Sequence, residues 1–210
     1  MKKLVYGVGI NDADYVVEIK ETIGYVDGKQ KQKQLWICPF YRVWRDMLQR
    51  GHSEKLKLKY PTYKDVSVSK EWHRFSTFSR WMQTQDWQDK QLDKDLLIVG
   101  NKVYSPETCV FVSKLVNSFV TDSISKRGEY KIGVDWHKRD RRYRASCHNP
   151  FNLKQEHLGY FTNEEDAHEV WLSKKLEHAR KLAAMQSDDC VAKALIDRYE
   201  NYQTFSSVFE

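Results

Sequence analysis

The chain has 210 residues, 40% of them hydrophobic and 13% aromatic, with a formal net charge of +6. That composition supports a packed core and argues against global disorder, and no apolar run reaches the roughly 18 residues needed to cross a bilayer. The cysteines, Cys38, Cys109, Cys147 and Cys190, are scattered with no CxxC pair, which argues against a structural zinc site and a disulfide framework.

In chain order, residues 1–37 read as a β-like segment. MKKLVYGVGINDADY has no long apolar stretch, so no signal peptide is expected and the cytoplasm is the expected location. LVYGVGI and DYVVEIK are short strand-like runs, and VDGKQKQKQ reads as a turn followed by a mobile polar stretch. From Cys38 the pattern turns helical. Phe40, Val43, Trp44, Met47 and Leu48 share one helix face, with Pro39 in the first turn and Gly51 as the stop. KYPTYKDVSVS reads as a loop with a short strand. Ser69 is placed to cap a second helix carrying Trp72, Phe75, Phe78 and Met82, with Trp81 beside them. Aromatics at that spacing belong in a core rather than on a base-stacking platform.

QLDKDLLIVGNKVYSPETCVFVSKLVNSF, residues 91–119, reads as strand, loop, strand and helix. A polar link follows, and a domain boundary is expected near Ser123. Beyond it YKIGVDWHK, RYRASCH and QEHLGYF are strand-like. A helix follows, with Thr162 and Glu165 spaced as a capping box, and runs from Ala167 through Trp171 and Leu176 to Ala183. Its apolar arc is wide, so one side should meet a sheet and the other a second partner, the last helix VAKALIDRY. The expected divisions are 1–37, 38–122, 126–185 and 186–210.

The location of the charge is informative. Between Lys126 and Lys154 there are nine Lys or Arg and three acids (Glu129, Asp135, Asp140), so nine minus three gives the whole net charge of +6. A basic strip on an otherwise balanced chain is the footprint of a polyanion binder. Strand alternation turns Val134, Trp136, Tyr143, Ala145 and Cys147 to one side. Asp135, His137, Arg144, Ser146 and His148 go to the other, with Arg139, Arg141 and Arg142 in the turn.

IGVDWHKRDRRYRASC followed by HLGYFTNEEDAHEVW resembles the Apetala/ethylene-response-factor DNA-binding domain. The likeness lies in Gly133-Val134, Tyr143, Leu158-Gly159-Tyr160-Phe161, Glu164-Glu165-Asp166-Ala167 and Trp171, over roughly residues 127–180. It implies a three-stranded antiparallel sheet packed on a helix, whose outward face lies in the major groove of double-stranded DNA. By position it implicates Asp135, His137, Arg139, Arg144, Ser146, His148, Gln155 and His157, and Arg141 and Arg142 join them as basic residues of the hairpin turn. Asp135 and His137 stand where plant members carry arginines, so no base preference is carried over.

Leu92-Asp93-Lys94, Tyr104-Ser105-Pro106-Glu107-Thr108-Cys109 and Asn117 resemble the ββα finger of HNH homing endonucleases. The stretches FYRVWRDML, PTYKDVSVSKEW and FSRWM match what precedes such fingers in phage proteins. The joint likeness implies an α+β chain of phage or mobile-element origin, acting in the host cytoplasm. Its cofactor would be Mg²⁺ or another divalent metal, held by Asp93 and Asn117. The catalytic set by this likeness is Asp93, Lys94 and Asn117, but it is degraded. Lys94 replaces the histidine base, and a lysine ammonium is a weak base at neutral pH unless strongly desolvated. Thr108 replaces an Asn that braces the loop. His52 and His73 are the alternative bases in this half. The expectation is a DNA-binding protein with a degenerate finger. The alternatives are a noncatalytic regulator and an interaction protein that inhibits a host defence enzyme.

Overall fold

A computed structural model describes residues 4–121 and 129–202. The expected boundary near Ser123, and the basic residues Lys126 and Arg127, lie outside them. The chain is α+β and divides into two compact units. One contains residues 1–95 and 101–111, the other 96–100 and 112–210. Among the described residues no helix is long and apolar enough to cross a membrane.

The first unit opens on a tight turn rather than a strand. Tyr6 and Gly7 take positive φ (49° and 81°), closing a Val5–Gly9 bridge. Strands β1 (Glu18–Val26) and β2 (Lys29–Ile37) then form an antiparallel hairpin. The expected mobile stretch KQKQKQ is therefore a strand. Asp27 and Gly28 have φ of 49° and 73°, the two left-handed residues a tight hairpin turn of matching twist requires. Helices α1 (Pro39–His52), α2 (Glu54–Lys59) and α3 (Phe75–Gln83) follow, with the short strand β3 (Ser67–Val68) before α3. Gly51 lies inside the last turn of α1 rather than at its stop. A Cβ there would come within 2.8 Å of Val68, so glycine lets β3 pass close to the helix. The helix expected from Ser69 is broken in two, because Arg74 is extended between a 3-10 turn over Lys70–His73 and α3. The aromatics are core: Trp44, Trp72, Phe75, Phe78 and Met82 are buried, and Trp44 Nε1 donates to the Trp72 carbonyl at 2.7 Å.

Strands β4 (Lys90–Asp93) and β6 (Val110–Ser113) pair, while β5 (Val103–Tyr104) runs parallel to β3. Helix α4 (Lys114–Val120) follows β6 and is capped by Ser113, whose Oγ accepts from Val116 N. It belongs to the second unit, and its last carbonyls are taken by side chains further along that unit. Lys175 Nζ donates to Phe119 O at 2.9 Å, Arg198 Nη2 to Val120 O at 3.1 Å and Tyr199 OH to Phe119 O at 3.4 Å. Such cations complement the negative end of the helix dipole.

The second unit is built on β7 (Val134–His137), β8 (Arg142–His148) and β9 (Gln155–Phe161), an antiparallel sheet in the order β7-β8-β9. It packs against α5 (Glu164–Ala183), and α6 (Asp189–Glu200) also packs on α5. Ala145 and Cys147 from β8, Ala167, Trp171, Ala179 and Leu182 from α5, and Val191 and Leu195 from α6 are buried. The wide apolar arc of α5 thus has both of its expected partners. The cap of α5 is one residue later than the expected box. Asn163 accepts from Asp166 N at 2.8 Å and donates back to its carboxylate, a stronger capping choice than Thr162.

His178 sits in this core at 1% exposure with neither ring nitrogen hydrogen-bonded. Burial pushes its pKa below the ordinary value; Glu156 and Glu177 oppose that shift, while Lys174 and Lys181 add to it. The folded state thus binds fewer protons than the unfolded chain at mildly acid pH. Stability is full above the unfolded histidine pKa of about 6.5 and declines as pH falls from there toward the folded value. Denaturant melts from pH 8 to 5 should show this unit weakening on acidification, and His178→Leu should flatten the slope.

Candidate nucleic-acid interface

The outward face of the sheet is set by pairing register. Asp135 faces Arg144, which faces Tyr160; His137 faces Arg142; Ser146 faces His157; His148 faces Gln155. The sequence-predicted residues of all three strands therefore share one face. Arg144 is held by Asp135 through two bonds, Nε–Oδ1 at 3.1 Å and Nη2–Oδ2 at 2.9 Å. The Asp135 hydrogen bond raises the Arg144 pKa further. Gln155 Nε2 donates to Ser146 Oγ at 2.9 Å. Both exposed ends of β8, Arg142 and His148, are open to solvent.

The β7–β8 turn carries Lys138, Arg139, Asp140 and Arg141. Arg141 is left-handed, with φ of 49°. Asp140 gathers two neighbours. Arg139 Nε lies 2.9 Å from Oδ1 and His137 Nδ1 3.2 Å from Oδ2, and these contacts, Arg139 foremost, hold the Asp140 carboxyl below its usual range. Arg141 and Arg142 are exposed and have no carboxylate within ion-pair reach among the described residues. The face thus has two kinds of arginine, paired (Arg139, Arg144) and open (Arg141, Arg142).

Tyr160 was missed by strict alternation. Counting by twos from Gln155 and His157 puts it on the helix side. A register shift between the Ala145 and Ser146 pairings leaves Leu158 as an extra residue, so Tyr160 turns outward with His157. Its ring lies 5.1 Å from His137 and 4.8 Å from His157 by centroid. The available signal was Gly159, an interior strand glycine with φ of 136°.

The strand-loop-strand segment is braced within the first unit. Asp93 and Lys94 are both buried, at 8% exposure. Asp93 Oδ1 accepts from Asp95 N at 2.8 Å, and Lys94 Nζ donates to Asp95 Oδ2 at 2.8 Å. Asn101 Nδ2 ties the Lys94 and Val103 carbonyls, at 2.6 and 2.7 Å. Thr108 Oγ1 donates to Val103 O at 2.9 Å and sits 3.1 Å from Ser105 Oγ, so a threonine holds the loop. Burial pushes the Tyr104 hydroxyl and the Cys109 thiol each up to about 12, and both belong to the packed interior.

This is a poor donor set for a hard cation. The Asp93 carboxylate accepts from the backbone of its own loop, and the neighbouring Asp95 carboxylate is paired with the Lys94 ammonium. Among the described residues no group of three or more His, Cys, Asp or Glu side chains gathers to hold an ion. His52 and His73, the alternative bases, pack edge to face with ring centroids 5.3 Å apart. Burial first, then His73 and Lys57, lower the His52 pKa.

No protein-family model, curated protein or solved structure matches this chain.

Proposed function

We propose that this chain grips double-stranded DNA through the outward face of its C-terminal sheet, and that its strand-loop-strand segment is the frame of an HNH finger that no longer cuts. The observation that carries the reading is the segregation of the sheet. The buried residues of its central strand are Ala145 and Cys147, while Arg142, Arg144, His137, His157 and Tyr160 share the opposite face beside an arginine-rich turn. A two-stranded β-ribbon or sheet of this kind fits the major groove, with arginine and histidine as donors to phosphate and base edges. Arg141 and Arg142 grip phosphate. Arg144, oriented by Asp135, and the His137–Tyr160–His157 row are placed for base edges. The origin that accompanies this reading is a phage or mobile element, acting in the host cytoplasm.

In the finger, Lys94 stands where a base is needed and is a proton donor to Asp95. On this reading Asp93, Lys94 and Asn117 do not activate water, and DNA binding needs no bound Mg²⁺.

The test is duplex binding against salt. Affinity should fall steeply between 50 and 200 mM, since about 0.9 counterions leave per neutralised phosphate. Supercoiled plasmid incubated with Mg²⁺ or Mn²⁺ should stay intact, with the wild type indistinguishable from Asp93→Ala. Nicking lost in that variant would restore the enzyme. Salt-insensitive or absent binding would leave the face for a protein partner, such as a host defence enzyme.

A further inference from the structure

The β1–β2 hairpin is a second charged surface, on the other unit. Its register from Val26↔Lys29 to Lys20↔Gln34 sorts the KQKQKQ run by face. Lys29, Lys31 and Lys33 lie on one side, opposite Val26, Gly24 and Glu21. Gln30, Gln32 and Gln34 lie on the other, opposite Tyr25, Thr22 and Lys20, and Gln32 Nε2 reaches Gln30 Oε1 at 3.4 Å along that side. All six are exposed. Glu18 pairs with Lys20 at 2.6 Å and Arg45 at 2.9 Å, while the three lysines have no carboxylate within ion-pair reach among the described residues. Gly24 leaves the centre of the lysine side bare, since a Cβ there would meet nothing within 4 Å.

We propose that the Lys29–Lys31–Lys33 face of this ribbon is a second contact for the DNA backbone. The row places one ammonium every ~6.8 Å along a line, two strand residues apart. The three ammoniums form the row, and their cross-strand neighbours are Val26, the bare Gly24 and one acid, Glu21. A row of ammoniums at that spacing complements a continuous line of phosphates. The competing explanation is protective: lysines on a bare strand edge discourage edge-to-edge pairing. Protection would work equally well with the lysines on either face, whereas a docking face would not.

The proposal rests on the duplex-DNA reading and separates from it experimentally. The probe is a short fluorescent mixed-sequence duplex, bound by the full chain from 50 to 200 mM salt. Replacing all three lysines with Gln should lower the log-log salt slope by about 2.7, so that the gap to wild type narrows about 40-fold across that range. Permuting the run to QKQKQK keeps composition and charge but moves the lysines opposite Tyr25, Thr22 and Lys20. It should behave like the neutral variant, while Lys→Arg at all three sites retains the slope. An unchanged slope in the neutral variant, or wild-type binding by the permuted one, overturns the proposal. Arg141→Gln with Arg142→Gln in parallel separates the surfaces: an effect confined to the lysine variants keeps the ribbon and removes the sheet, and the converse removes the ribbon.

Discussion

Arg141→Gln combined with Arg142→Gln should weaken duplex binding about 60-fold at 0.1 M salt and flatten the salt slope by about 1.8, irrespective of sequence. The size follows from the two residues being open. Among the described residues neither side chain has a carboxylate to leave, so each can neutralise a phosphate directly. Arg139→Gln should do less, because Asp140 already holds that guanidinium at 2.9 Å and the substitution frees the carboxylate near the DNA. Arg144 is different again. Its fork is closed on Asp135, so Arg144→Ala exposes an unpaired acid on the docking face and should cost affinity by repulsion as well as by loss. Asp135→Ala should strengthen nonspecific binding. Titrations across 50–200 mM salt on two unrelated duplexes measure all four. Equal losses for paired and open arginines would show that the Asp135 and Asp140 contacts do not persist in solution.

Gly133→Ala should cost the second unit about 2–5 kcal/mol. Gly133 has φ of 81°, where a side chain is strained by about 1–2 kcal/mol. A Cβ there would also fall inside the Trp171 indole, adding an overpacking cost of about 1–3 kcal/mol. Trp171 is itself 4% exposed and stacks on His168, which hydrogen-bonds the Ile132 carbonyl at 2.9 Å. The glycine therefore fixes where the strand enters the sheet. Hydrogen exchange at the β7–β9 amides reads this unit separately from the first. Loss of protection in β7, β8, β9, α5 and α6 but not in the first unit is the expected result, and wild-type protection would refute the packing account.

Much of this arrangement was legible where one side of an element is buried. The alternation of Tyr143-Arg144-Ala145-Ser146-Cys147 needs only a period of two and a helix to cover the apolar side. The aromatics of α3 and of the turn before it likewise declared the core of the first unit, although the break at Arg74 did not show. Strand β2 had no such signal. KQKQKQ offers no apolar face, and its structure depends on two backbone angles at Asp27 and Gly28. Tyr160 was hidden by a single extra residue, which inverts every later position in the strand. The docking of α4 depends on Lys175, Arg198 and Tyr199, between 56 and 80 residues further along the chain. No local pattern encodes a partner at that distance.

The route of the chain has a consequence for how such a protein can be shuffled. It passes from the first unit to the second after Asp95, returns after Gly100 and leaves again after Phe111. A single recombination crossover cannot lift out either unit whole. One placed near Ser123 would strand α4 without the three donors that hold its carbonyls. Residues 95–112 are the stretch over which the chain changes unit, so a shuffled chain keeps both units only if it inherits that stretch intact.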